Sequence, residues 1–335
     1  MFHRRRRVTT RLARCAAVAG VLALAATACT DSPDDAARWN DPLPSGTALE
    51  QVAALSADPG SAEFEVQPSV EQVAVTGAEP EVDLVLYDGA GAATALGTTD
   101  EQGSLVFRQV EPGTDYRVAT ADPSAEQVVT EPVEVIAVEA STPDQSFYDD
   151  QTIEPGFGYI ETRDGTTLSA SVYLPGPVED GPYPTVVEYS GYSPSKPAAN
   201  LIADRWDDLS ETLPEGLTQD AVCQLAPFAC EAPDQPASLL ASALGYAVVA
   251  VNIRGTGCSG GSYDFFEPLQ LLDGYDVIET VAAQDWVKGN EVGMVGLSYP
   301  GIAQVFVAST QPPSLAAISP LSIYDDTVRG VLAPG

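Results

Sequence analysis

Ser298 lies in the stretch 292–306, VGMVGLSYPGIAQVF, where an apolar run meets Gly-Leu-Ser-Tyr-Pro-Gly and then a second apolar run. A serine at a sharp turn between a strand and a helix can act as a nucleophile, because the turn lifts its hydroxyl clear of the backbone. Gly296, two residues before the serine, gives the turn a small neighbour, and Pro300 suits the first turn of a helix, where its missing N–H costs nothing. The pattern Gly-x-Ser-x-Gly would put glycine at 300; here proline stands there and Gly301 follows. Taken as an anonymous pattern, the stretch fits an ordinary strand–turn–helix joint equally well. A serine nucleophile also needs a base, usually histidine, and the 335 residues contain one, His3.

A second glycine motif precedes it. Gly255, Gly257 and Gly260 in GTGCSG satisfy Gly-x-Gly-x-x-Gly after an apolar strand, and Asp273 and Asp276 follow at the distance of a ribose-binding acid. A dinucleotide turn opens directly into a helix, however, and here GSYDFFEPLQ intervenes. The two acids also fall on a helical pattern instead of ending a strand. The motif reads as a structural loop anchored by Arg254, and no cofactor is expected. The cysteines (15, 29, 223, 230 and 258) contain no Cys-x-x-Cys and have no histidine nearby, so no metal site is expected. Cys223 and Cys230 are the nearest disulfide pair, with Cys258 open as an alternative partner of either.

The elements that would position Ser298 fall in the second half of the chain. A hairpin is expected around Arg163-Asp164-Gly165-Thr166, followed by a buried strand YPTVVEY at 183–189 and a polar insertion over 193–235. Next come a helix PASLLASAL, a strand GYAVVAVNI and a helix with apolar Leu271, Tyr275, Ile278, Ala282 and Trp286. The strand VGMVGL, the helix PGIAQVFVAST and a short strand LAAIS complete the series. Continuous apolar strands alternating with helices predict a mostly parallel sheet covered on both faces, an α/β unit over 150–335. Before it, short alternating runs separated by DGAGAA, DEQGS and EPGT predict a small all-β sandwich of antiparallel strands over 63–145. Nothing in that unit points to catalysis, and its expected role is that of a spacer or a contact surface for protein or polysaccharide.

The N-terminus reads as an export signal over 1–28. Arg4 to Arg7, Arg11 and Arg14 precede AAVAGVLALAATA, an apolar run short of the about 20 residues a spanning helix needs. Residues 29–62, rich in Ala, Asp, Pro and Ser, read as a tether. The leader holds six of the 15 Lys+Arg and none of the 48 Asp+Glu, which leaves nine against 48, a formal charge of −39. Such a surface repels phosphate backbones and argues against nucleic-acid binding.

Two resemblances extend this reading. LAATAC is similar to the lipobox of bacterial lipoproteins, which implies a diacylglycerol group on Cys29 and a membrane anchor; the alternative is plain secretion. GYAVVAVNIRGTGCSGGSYDFFEPL and DGYDVIETVAAQDWVKGNEVGMVGLSYPG closely resemble the Xaa-Pro dipeptidyl-peptidase and cocaine-esterase family of α/β-hydrolases, over about 153–335. That family's elbow is Gly-x-Ser-Tyr-x-Gly, which Gly296, Ser298, Tyr299 and Gly301 match. The resemblance implies that Ser298 is the nucleophile and that the Tyr299 N–H is one oxyanion donor. It also implies that the hydroxyl of Tyr192, in EYSGYSP, is the second, although a tyrosine tying down a loop fits that position too. The triad acid and histidine belong to later strands, so the segment would be the N-terminal part of the fold, inactive alone. Asp325 and Asp326 come too early to be the acid. The expectation is an exported serine hydrolase acting on a small ester or peptide, Xaa-Pro bonds included, with oligomeric state left open. The alternative is a non-catalytic surface lipoprotein with a vestigial hydrolase segment.

Overall fold

The computed structural model describes residues 49, 52, 54–122, 126–192, 194–197, 206–212, 214, 216–225 and 232–324. The leader, the start of the tether, Cys29, Cys230, Asp325 and Asp326 lie outside them.

The first half is built from short strands: β1 (Gly60–Ser61), β2 (Glu65–Pro68), β3 (Gln72–Thr76), β4 (Asp83–Tyr87), β5 (Ala93–Thr98), β6 (Leu105–Arg108), β7 (Gly113–Thr120), β8 (Val128–Val129) and β9 (Val133–Val135). Strands β2-β3-β6 form one sheet, and β1-β8-β7-β4-β5 with β9 beside β7 form the other. The alternation seen in the sequence becomes the filling between them. Val73, Val75 and Phe107 of the first sheet share a core with Leu84, Leu86 and Val118 of the second. The turns are made as their residues dictate: Asp88 Oδ1 accepts from the N–H of Ala90 and Ala92, and Asp100 Oδ1 from those of Gln102 and Ser104. One pairing departs from the antiparallel expectation. Gly60 and Ser61, within the stretch read as tether, run parallel to Val128 and Val129. The N–H groups of Gly60 and Ala62 bond to Gln127 and Val129, so the backbone is satisfied by an edge strand laid down early in the chain.

The second half contains α1 (Gln145–Asp149), β10 (Gly156–Glu161), β11 (Thr167–Tyr173), β12 (Tyr183–Ser190), α2 (Trp206–Ser210), α3 (Gln219–Leu225) and α4 (Pro236–Ala243). It continues with β13 (Ala247–Asn252), α5 (Pro268–Ala282), β14 (Val287–Leu297), α6 (Tyr299–Ser309) and β15 (Leu315–Leu321). These strands form one sheet in the order β10-β11-β13-β12-β14-β15, antiparallel at its first two joints and parallel at the rest. Every residue of β13 is buried, because alternate side chains face opposite covered sides. Val249 and Val251 point into the core with α5 and α6, whereas Val248 packs with Val186 and Ala241 of α4.

The stripe expected on α5 is corrected. Trp286 lies beyond its end, and Leu271 and Tyr275 are only half buried, while Leu272, Asp273, Asp276 and Val277 are buried. The helix is covered nearly all round, so its most deeply placed residues include acids that no apolar periodicity would select. The alternative that gave Cys258 a disulfide partner is also corrected: Cys258 is free and exposed, and Cys223 is disulfide-bonded, while Cys230 lies outside the described residues. Among the described residues, no helix is long and apolar enough to cross a membrane.

Candidate active site

Ser298 occupies the joint between β14 and α6 at φ 67° and ψ −119°, a region that L residues visit only under constraint. The strain is held by the backbone on both sides. The Ser298 N–H donates to Leu321 O of β15 at 2.9 Å, and Ser298 O accepts from the Ile302 N–H at 2.9 Å. The two glycines are dictated by close approach. A Cβ on Gly296 would lie 2.6 Å from Pro300 Cβ, and one on Gly301 would strike the backbone of Leu321. Position 301 faces the neighbouring strand, whereas Pro300 occupies the first turn of α6. The spacing Gly-x-Ser-Tyr-x-Gly thus puts glycine where the sheet demands it.

The structure brings the three expected site residues together. Tyr192 follows β12, and its hydroxyl stands 3.1 Å from Ser298 Oγ. The same oxygen accepts from the Tyr299 N–H at 3.4 Å, a long bond that a better acceptor would displace. Tyr192 and Ser298 are both exposed, so a carbonyl could approach Ser298 Oγ with an N–H and an O–H close by. The Tyr299 ring points inward, its hydroxyl accepting from Gln270 Nε2 at 2.7 Å. Burial pushes that hydroxyl well above the ordinary tyrosine range, with Gln270 working weakly against it, so it stays protonated.

The glycine motif and its acids take another course. The loop closes on itself through Gly255 N–H to Gly260 O at 2.8 Å, and α5 begins only at Pro268. Arg254 forks onto Asp273 with two bonds of 2.6 Å and reaches Asp164 Oδ2 at 3.1 Å. Burial alone would lower the Arg254 guanidinium, but Asp273 and then Asp164 raise it and keep it charged. Asp164 is likewise pushed up by burial, yet Arg254 and Ser69 outweigh this and hold it at about 2. Asp276 accepts from Arg163 Nη2 at 2.8 Å and from the Tyr148 hydroxyl at 2.9 Å. Both acids are therefore committed to arginines. Arg254 was expected to anchor the glycine loop, whereas its hydrogen bonds go to Asp273, Asp164 and Thr166, and the Arg163–Asp276–Tyr148 set carried no signal local in sequence. Among the described residues, no cluster of three His, Cys, Asp or Glu could hold a metal ion.

A six-stranded mixed sheet in this order, with a serine on a strained turn between its fifth strand and the following helix, is the α/β-hydrolase arrangement. The chain belongs to the X-Pro dipeptidyl-peptidase family (S15), whose sequence profile matches residues 164–335. Similar solved structures include a CocE/NonD family hydrolase from Staphylococcus aureus, 27% identical with a TM-score of 0.38 over 52% of this chain and 28% of that one. An aminopeptidase from a marine sediment Thaumarchaeota archaeon is 22% identical, with a TM-score of 0.38 over 56% and 28%. An alpha-amino acid ester hydrolase is 20% identical, with a TM-score of 0.37 over 56% and 29%. The chain thus spans under a third of the length of these structures. No curated protein matches it.

Proposed function

We propose that this chain carries the nucleophile and oxyanion half of an exported serine hydrolase that cleaves esters or amides, Xaa-Pro peptide bonds among them. The observation that carries the reading is the strained Ser298 with its Oγ 3.1 Å from the Tyr192 hydroxyl, beside the Tyr299 N–H. In the proposed reaction Ser298 Oγ attacks the substrate carbonyl carbon while its proton passes to a base. Tyr192 and Tyr299 donate to the oxygen that becomes negative. As the tetrahedral adduct collapses, the C–O or C–N bond to the leaving group breaks and the base returns the proton to that group. Water then repeats the sequence on the acyl-Ser298 ester.

The base proposed for this step is a histidine, and the one histidine of the 335 residues is His3, in the stretch read as leader. Removing the base costs about six orders of magnitude in kcat in a well-studied serine protease. The 335-residue polypeptide is therefore expected to show no useful turnover, and robust hydrolysis of an activated ester, abolished by Ser298→Ala, would refute this. Export and a lipid on Cys29 complete the proposal; they rest on the arginine-rich start, the short apolar run and LAATAC. The discriminating experiment is labelling of the full-length protein with a fluorophosphonate. Label on Ser298 supports the hydrolase. A folded protein that never labels supports a non-catalytic lipoprotein.

A further inference from the structure

The sandwich lies outside the matched segment, yet it grips the loop that flanks Ser298. Residues 262–267 join the glycine turn to α5, and their rings lie against the residue after the nucleophile. Phe266 stacks on Tyr299 at 4.7 Å, and Phe265 meets the same ring edge-on at 5.9 Å. The Phe266 backbone sits at φ 53°, an unfavourable place for a bulky residue, so its surroundings must impose it. A relay runs from this residue to the site: the Phe266 N–H donates to Gln270 Oε1 at 2.9 Å, and Gln270 Nε2 donates to the Tyr299 hydroxyl.

The acids on either side of the two rings are held by the sandwich. Arg108 Nε of β6 stands 3.0 Å from Asp264 Oδ2 and 3.9 Å from Glu267 Oε2, and Gln72 Nε2 of β3 also donates to Glu267. Beneath them Val70 packs on Leu269 and Leu272. Away from the loop, in the turn between β10 and β11, Ser69 Oγ also donates to Asp164, the partner of Arg254. Arg108 and Gln72, from the strands of the first half, thus hold the loop at Asp264 and Glu267.

We propose that the sandwich is a positioning unit for the active site: Arg108 and Gln72 fix residues 264–267, and through them the aromatic surface of Phe265 and Phe266 against Tyr299, the residue after Ser298. Phe265 and Tyr263 are 41% and 43% exposed, and this surface receives an apolar or aromatic part of the substrate. The inference rests on Ser298 being the nucleophile. Its test has two arms in the full-length protein, with Arg108→Ala, Arg108→Asp and the charge-swapped pair Arg108→Asp/Asp264→Arg. The first is amide hydrogen exchange over residues 263–267. The second is the ratio of Ser298 labelling rates by an aryl and by an ethyl fluorophosphonate. Given what a half-exposed ion pair contributes, each single variant should speed exchange and lower the aryl-to-ethyl ratio by about two- to fivefold, and the swap should restore both. A sandwich that merely stabilises the fold would leave the ratio unchanged. An unchanged ratio, or unchanged exchange in every variant, overturns the proposal. If the parent labels with neither probe, the nucleophile assignment fails, while hydrogen exchange still decides whether the sandwich fixes the loop.

Discussion

Tyr192 is the residue on which the proposed chemistry turns most sharply after Ser298. Its hydroxyl touches both Ser298 Oγ and the Tyr299 N–H, yet the side chain is 52% exposed and is not part of the buried core. Tyr192→Phe should therefore leave thermal stability nearly unchanged and slow acylation of Ser298 about 10²- to 10³-fold, as loss of one oxyanion donor does elsewhere. Stopped-flow measurement of the acylation rate beside a melting curve separates the two effects. These residues were legible in the sequence because their chemistry is local: Ser298, Tyr299 and the glycines are contiguous, and Tyr192 follows an apolar strand. Their roles came from family resemblance, since the bare pattern allowed an ordinary turn. Arg108 and Gln72 were not legible. The Gln72–Glu267 contact joins residues 195 apart in sequence, and nothing local to either marks the other.

Two joints between elements have consequences that can be measured. The first is β14–α6–β15, where Gly301 packs on Leu321 and its Cβ position would lie 3.1 Å from Leu321 N and 3.2 Å from Gly296 O. Gly301→Ala must push β15 away or bend the turn, and about 1–3 kcal/mol of destabilisation is expected from such overpacking, read as a lower denaturant midpoint. The second joint is β12–α4. Glu188 of β12 is 1% exposed and accepts from Ser238, and Asp234 lies near it. Burial raises its carboxyl from 4.5 to about 7, with the Ser238 bonds pulling the other way. The folded state therefore binds the proton more tightly than the unfolded chain. The stabilisation this gives is complete below pH 4.5 and is lost as the pH rises through about 7. Urea titrations of Glu188→Gln and the parent should show that the variant lacks this fall, about 3 kcal/mol at most. The element pattern itself was read well from apolar continuity in β12, β13 and β14. Helix α5 was read less well, because Asp273 and Asp276 are buried by pairing with Arg254 and Arg163, and hydropathy cannot see a partner.

At the scale of the whole molecule, the described residues cover the sheet unevenly. A groove of about 510 Å³ runs between α4 and strands β14 and β15, with Leu240, Leu244, Tyr246, Ile318 and Leu321 exposed on or beside it. Among the described residues, β15 pairs only with β14. The 335-residue polypeptide should therefore bind anilinonaphthalene sulfonate while fully folded, and Leu240→Asp/Leu244→Asp should reduce that fluorescence with little change in melting temperature. Asp164 sets a different constraint, one of timing. Its carboxylate takes bonds from Ser69 and Arg254, and Arg254 in turn needs Asp273. A ribosome adding about 5–20 residues each second needs roughly ten to forty seconds to travel from Ser69 to Arg254. During that interval the sandwich can close on its own core and Ser69 can meet Asp164, while Asp164 still waits for Arg254 and Val70 for Leu269 and Leu272. The newborn chain therefore carries an unfinished face throughout that interval, and the order in which its parts are made fixes how long that face must be kept from other chains.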